Sequence, residues 1–143
     1  MDVIDLLVAD HNRVRGLISR YKDADEADDT NEASQLADAM IRELNVHMVA
    51  EESVFYHAVK KRTTEIKDDV DEGYEEHHVA KVLIGEIQDL KPGSDPWVAK
   101  MTVLIESVEH HVDEEEDELF PRSGLQLMRR AEKSSDKSST RRG

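Results

Sequence analysis

Apolar residues recur along this chain at intervals of three and four, and no segment alternates strictly enough to predict a strand. The chain reads as all-α. A stripe of Ile4, Leu7, Val8, His11, Val14, Ile18 and Tyr21 predicts a first helix over about residues 3–22, with Asp2 as N-cap and Asp5 in the first turn. The acidic run 23–31 follows as a loop. Leu36, Met40, Leu44, His47, Glu51, Val54 and Ala58 form the stripe of a long second helix over about 32–61. Val70, Tyr74, His77, Ala80, Ile84 and Ile87 mark a third over about 69–90, stopped by Lys91-Pro92-Gly93-Ser94. Asp95 as N-cap and Pro96 at the first helical position open the fourth, whose stripe is Met101, Leu104, Val108, His111, Glu115 and Leu119. Pro121 is expected to end it, and residues 125–132 to add a short terminal helix. Long helices with short connections predict an antiparallel up-down-up-down four-helix bundle over residues 1–130. Residues 131–143, polar and Ser-rich, form a tail with the composition of a disordered end.

Six polar residues interrupt these stripes: His11, His47, Glu51, His77, His111 and Glu115. Helical phase resolves the adjacent pairs. His78 shares its face with Asp71, Glu75 and Asp89, and His110 with Glu106, Asp113 and Asp117, so His77 and His111 are the inward members. The chain also repeats itself. His47-Met48-Val49-Ala50-Glu51-Glu52-Ser53-Val54-Phe55-Tyr56 aligns without gaps on His111-Val112-Asp113-Glu114-Glu115-Glu116-Asp117-Glu118-Leu119-Phe120, and a lone histidine, His11 or His77, precedes each unit. His57 falls opposite Pro121 in this alignment, beyond the glutamate, and is left out of the candidate site.

Charge sharpens the question. The net charge is −14, and the tail carries four basic against two acidic residues, so the body before it is near −16. Such a body repels nucleic acid and anionic membrane surfaces. The chain has no cysteine, which excludes disulfides, thiolate catalysis and Cys-held clusters. The acidic amino terminus lacks the basic start of an export signal, and no apolar run approaches the roughly 20 residues of a membrane span, so a soluble cytoplasmic protein is expected. In such a body, an inward Glu51 and Glu115 need an explanation. An ionised carboxylate is too costly to bury alone, and neither stripe offers Lys or Arg at its level. A multivalent cation removes the difficulty. His-x-x-x-Glu sets an imidazole and a carboxylate one turn apart on one face, and mixed nitrogen and oxygen donors suit iron, manganese or zinc.

The order of lone His, His-x-x-x-Glu, lone His, His-x-x-x-Glu resembles the hemerythrin-like (HHE cation-binding) family. The local wording Ala9-Asp10-His11-Asn12, Glu75-Glu76-His77-His78 and Glu115-Glu116-Asp117-Glu118-Leu119-Phe120-Pro121 fits as well. The resemblance covers about residues 3–121. It implies a non-heme centre of two iron ions bridged by an oxo or hydroxo group, with Glu51 and Glu115 bridging and two of His11, His47, His77 and His111 on each iron. Respiratory hemerythrins supply a fifth histidine one turn before the third-helix His, where this chain has Gly73, followed by Tyr74. Two coordination positions are then left for water, an incoming ligand or Tyr74, the one inward protic group not otherwise assigned.

A centre of this kind binds or reacts with O₂, peroxide or nitric oxide. The resemblance therefore implies an oxygen- or peroxide-reactive iron protein, with an H₂O₂-consuming oxidoreductase in the manner of a catalase as its most specific form. The alternatives are a sensor or binder of O₂, iron or nitric oxide without turnover, and a metal-free interaction bundle. The last must explain two inward acids. No obligate protein partner is evident, and family members of the cluster-repair type carry cysteine-bearing segments that this chain lacks.

Overall fold

Asp2 opens the first helix (Val3–Glu26) by accepting a hydrogen bond from the Asp5 amide at 2.9 Å. This computed structural model describes residues 2–62 and 66–123. The first helix runs four residues past the predicted end, because Ala24 still packs into the core. The chain then reverses through Asp28, at φ 56, a left-handed conformation that Asp tolerates better than most residues. Asp29 accepts from the Glu32 amide at 3.1 Å and caps the second helix (Thr30–Ala50).

That helix does not stop at Ala50. It passes through a π-helical turn (Glu51–Tyr56) into a last α-helical piece (His57–Arg62). The third helix is Lys67–Gln88. Gly93 turns the chain at φ +85, where any Cβ would meet Thr30 Cγ2 at 2.6 Å. The fourth helix is Asp95–Glu114 and likewise continues through a π turn (Glu115–Leu119) into Phe120–Arg122. Ser94, not Asp95, takes the N-cap position, which leaves Pro96 in the first turn, where its missing N–H costs nothing. Pro121 does not end the helix as expected. It sits just past the π turn, where the regular hydrogen-bond ladder is already interrupted.

First and second helices pair, third and fourth pair, and the first also meets the fourth. The result is an all-α four-helix bundle. The predicted short helix at 125–132 and the tail at 131–143 lie outside the described residues. No helix among the described residues is long and apolar enough to cross a membrane.

The π turns correct the sequence-derived register. Each contains one residue more per turn, so the inward stripe advances after the glutamate. Val54, placed inward by 3.6-residue spacing, is 54 % exposed, while Phe55, Tyr56 and Val59 are buried. On the fourth helix the same step buries Phe120 beside Leu119. The apolar core is consequently in two parts. One, around Met40, Leu44, Trp97, Met101 and Leu104, fills the half of the bundle near the 27–29 and 91–94 connections. The other, around Ile4, Leu7, Phe55, Tyr56, Val70 and Phe120, closes the opposite end. Full burial of each large side chain contributes about 1.5–3 kcal/mol. Along the first helix, His11 falls between the Ile4/Leu7 part and the Val14/Ile18 part, and the polar residues occupy that level.

Candidate metal centre

The structure brings all six predicted residues together. Donor atoms of His11, His47, Glu51 and Glu115 lie within 4.8 Å of one another, and so do those of Glu51, His77 and His111. Glu51 belongs to both groups. His78 and His57 are exposed, as is His110, whose side chain is 77 % exposed, while His77 is buried and His111 nearly so. Of each adjacent pair, the member that faces the bundle interior is the one that helical phase turns inward.

Three of the four inward rings are hydrogen-bonded on their outer nitrogen by a carboxylate from another helix, and the fourth has such a carboxylate nearby. His11 Nδ1 donates to Glu116 Oε2 at 2.8 Å, and His47 Nδ1 donates to Asp10 Oδ2 at 3.0 Å. His111 Nδ1 donates to Glu76 Oε2. His77 Nδ1 stands 3.7 Å from Glu52 Oε1, beyond hydrogen-bond reach. These four acids are the sequence neighbours of site residues: Asp10 precedes His11, Glu76 precedes His77, Glu52 follows Glu51, and Glu116 follows Glu115. One helical residue thus points into the site while its neighbour braces a ring on the next helix.

The bracing fixes the tautomer. A carboxylate only accepts, so the proton of a braced neutral ring sits on Nδ1 and the Nε2 lone pair turns inward. There the lone pairs meet one another and carboxylate oxygens. His11 Nε2 is 3.1 Å from His47 Nε2 and 3.2 Å from Glu115 Oε1. His77 Nε2 is 2.9 Å from Glu51 Oε1, yet neither ring nitrogen of His77 has a hydrogen-bond partner. Glu51 Oε2 and Glu115 Oε1 also lack one. Acceptors converging on a buried volume, with no Lys or Arg pairing Glu51 or Glu115 among the described residues, need positive charge between them. The donor set fits a cation of the iron, manganese or zinc type.

Without a metal, protons take up the same role. Burial opposes charge on His47, but hydrogen bonding and charge from Glu51, with Asp10 and Glu115 adding to them, push it up to about 9. Burial opposes charge on His111 too, and Glu115, Glu51 and Glu76 together hold it well above the ordinary 6.5. Burial would raise the Glu51 carboxyl, but the His111 and His47 imidazoles against it hold it well below the usual range.

The model of the hemerythrin HHE cation-binding domain matches residues 2–123. The chain belongs to that family. It is also similar to an uncharacterised hemerythrin-like protein of Schizosaccharomyces pombe, 28 % identical over 120 residues. That match covers 83 % of this chain but only 58 % of the relative, so the chain spans less than two thirds of its length. No solved structure matches the chain at significant similarity.

Within this hemerythrin domain, a tyrosine fills the space that Gly73 leaves open. A Cβ on Gly73 would come within 2.7 Å of Tyr56 Cζ and nearer still to its hydroxyl oxygen. The Tyr56 ring is buried and stacks on His77, 5.5 Å between centroids, and its hydroxyl donates to Glu51 Oε1 at 2.7 Å and lies 3.1 Å from Glu115 Oε2. Burial and then the two carboxylate charges raise its pKa far above the ordinary 10, so in the metal-free protein it keeps its proton. Tyr74, the expected protic group, is half-buried and meets the Tyr56 ring edge-on at 5.1 Å. Sequence reasoning missed Tyr56 because regular helical spacing turns it outward; its one signal was its place opposite Phe120 in the repeat. Phe120 correspondingly stacks on His11 at 5.7 Å.

The braces carry a prediction. Asp10→Asn and Glu76→Gln are each expected to weaken metal retention by about 10–100-fold, the usual effect of losing a carboxylate behind a histidine ligand. Glu52→Gln, whose carboxylate stands off from His77, is expected to do less. Competition with a chromogenic chelator measures all three.

Proposed function

We propose that this chain holds two iron ions and reacts with peroxide or O₂, disproportionating H₂O₂ in the manner of a catalase. The observation that supports this best is the set of four inward-facing imidazoles around two buried glutamates, one of which, Glu51, is shared between both groups. In this reading His11 and His47 would hold one ion and His77 and His111 the other, with Glu51 and Glu115 offering carboxylate oxygens to both. Two iron ions cycling between ferrous and ferric states supply the two electrons that reduce one H₂O₂ to water and oxidise another to O₂.

The chain's own residues do the rest. The braces Asp10, Glu76 and Glu116 hold the imidazoles in one orientation and one tautomer. Phe55, Leu119 and Phe120 close the end of the bundle beside the site and exclude bulk water. Tyr56 Oη, between the two glutamates, holds a proton that could pass to the departing oxygen of H₂O₂ as the O–O bond breaks and water leaves. We assign to Tyr56 the proton-donating role that the sequence suggested for Tyr74.

A pair of substitutions tests this. Tyr56→Phe is expected to keep its iron yet lose about 10²-fold in H₂O₂ consumption, the lower end of the usual contribution of a positioned acid. Tyr74→Phe should stay within a few-fold of the parent. Iron content and O₂ evolution measured on the same samples separate lost metal from lost chemistry. Unimpaired turnover in Tyr56→Phe at full iron content would remove Tyr56 from the reaction.

A further inference from the structure

We infer that small ligands reach this centre between the third and fourth helices, on the side of His77 and His111, and that the mouth of this passage admits cations and neutral molecules while turning anions away. The inference rests on the iron reading above and adds the route and the ligand class.

The internal repeat supplies the first argument. Its two halves are built alike up to the residues that cap the site. On one side Phe120 stacks on His11, and Leu7 occupies the position one turn before that histidine, buried in the same apolar cluster. On the other side Tyr56 stacks on His77, and the position one turn before it is Gly73. Leucine with phenylalanine makes an apolar closure. Glycine with tyrosine leaves a thinner wall and puts a hydroxyl in it. The half-site of His77 is also the one whose brace stands off, at 3.7 Å from Glu52.

The second argument is a cavity in the expected place. It runs from the surface between the third and fourth helices to a floor of Tyr56, His111 and Glu115, passing Gly73. About 20 Å³ of it is open to a water-sized molecule, enough to hold one water. Glu115 at the floor is buried, and its Oε1 has no hydrogen-bond partner.

The third argument is charge. The walls and mouth carry Asp69, Glu72, Glu76, Glu114 and Glu118, with no Lys or Arg among the described lining residues. Arg122 pairs with Asp69 at 2.9 Å, Glu76 is engaged with His111, and Glu114 lies 3.4 Å from His110, which leaves Glu72 and Glu118 to set the field. A narrow cleft lined by one sign of charge concentrates ions of the other sign and changes association rates by roughly 10–10³-fold. Ferrous iron is drawn in; H₂O₂, O₂ and nitric oxide pass unhindered; azide, nitrite and superoxide are repelled.

The double substitution Glu72→Lys/Glu118→Lys tests this at two exposed positions. At low ionic strength, uptake of Fe(II) by the metal-free protein should slow by roughly tenfold. Azide binding to the oxidised, iron-loaded protein, followed by stopped-flow absorbance, should accelerate by roughly tenfold. Both effects should shrink in high salt, and the rate of nitric oxide binding to the reduced protein should stay within about twofold, because an uncharged ligand feels no such field. Opposite signs for cation and anion in one variant are the signature of a charged gate, which mere loosening of the fold does not produce. Unchanged rates, or Fe(II) and azide rates moving together, overturn the inference. So does a response that appears instead in Arg20→Glu/Arg42→Glu, in the basic groove between the first and second helices. A chain that takes up no iron overturns the iron reading and this inference with it; normal iron content with flat rates overturns the inference alone.

Discussion

Glu51→Gln is expected to reduce the iron content from about two ions per chain to background, because a bridging carboxylate serves both ions of a paired site. Glu51 alone appears in both groups of converging donors, and its two oxygens lie within 3.3 Å of His47, His77 and His111. An amide in its place offers one weak neutral oxygen and an NH₂ aimed at imidazole lone pairs. The metal-free variant should also lose stability. In the parent, the raised His47 and His111 are held charged chiefly against Glu51 and Glu115. Without Glu51, part of that charge has no buried counterpart, and breaking such a pair costs several kcal/mol unless the ring gives up its proton. Glu52→Gln, next in sequence but directed to the surface of His77, is the control and should keep its iron. Elemental analysis and thermal melts of the metal-free proteins read both effects. An iron-replete Glu51→Gln protein would mean that the shared carboxylate does not bridge.

The second large effect is on pH. Metal must displace the proton that His47 holds, so below about pH 9, the value to which it is raised, protons compete with iron. Apparent affinity should fall about tenfold per pH unit for that proton as pH is lowered from 9, and the raised His111 adds to the fall. Stability of the metal-free protein should move the other way. A histidine raised from 6.5 to about 9 contributes stability that is complete below 6.5 and lost as pH rises through 9. The melting temperature of the metal-free protein should therefore decline between pH 6.5 and 9, while that of protein titrated with limiting Fe(II) climbs. Parallel slopes for the two forms would contradict the exchange of protons for metal.

The bundle and the convergence of six residues were legible because both depend on regular spacing. His11, His47, Glu51, His77, His111 and Glu115 interrupt apolar stripes in register, and the stripes up to the glutamates are buried as expected, apart from Tyr74, Val8 and His111, which are partly buried. Beyond Glu51, 3.6-residue spacing fails. A π turn has no composition of its own that marks it in advance; it forms because the second and fourth helices must present a glutamate and then two consecutive large aromatic or aliphatic residues to the same core. Regular spacing accordingly puts Val54 inside and gives Tyr56 no inward position, which leaves Tyr74 as the protic candidate. The braces were visible as letters but not as function. Asp10, Glu52, Glu76 and Glu116 each adjoin a site residue, yet an acid on a charged helix face reads as solvated until a ring from the next helix is seen against it. Gly73 showed in the sequence that a side chain was absent, and only packing could show that Tyr56 fills the gap.

The most direct test of the central claim is to load metal-free protein with Fe(II) under anaerobic conditions, remove unbound metal, and count iron per chain with Mössbauer spectroscopy of the oxidised product. The account predicts about two iron ions per chain, as a bridged two-metal site requires, and ferric ions coupled to a diamagnetic ground state. Iron at background level, or a single uncoupled high-spin ferric ion per chain, would contradict it.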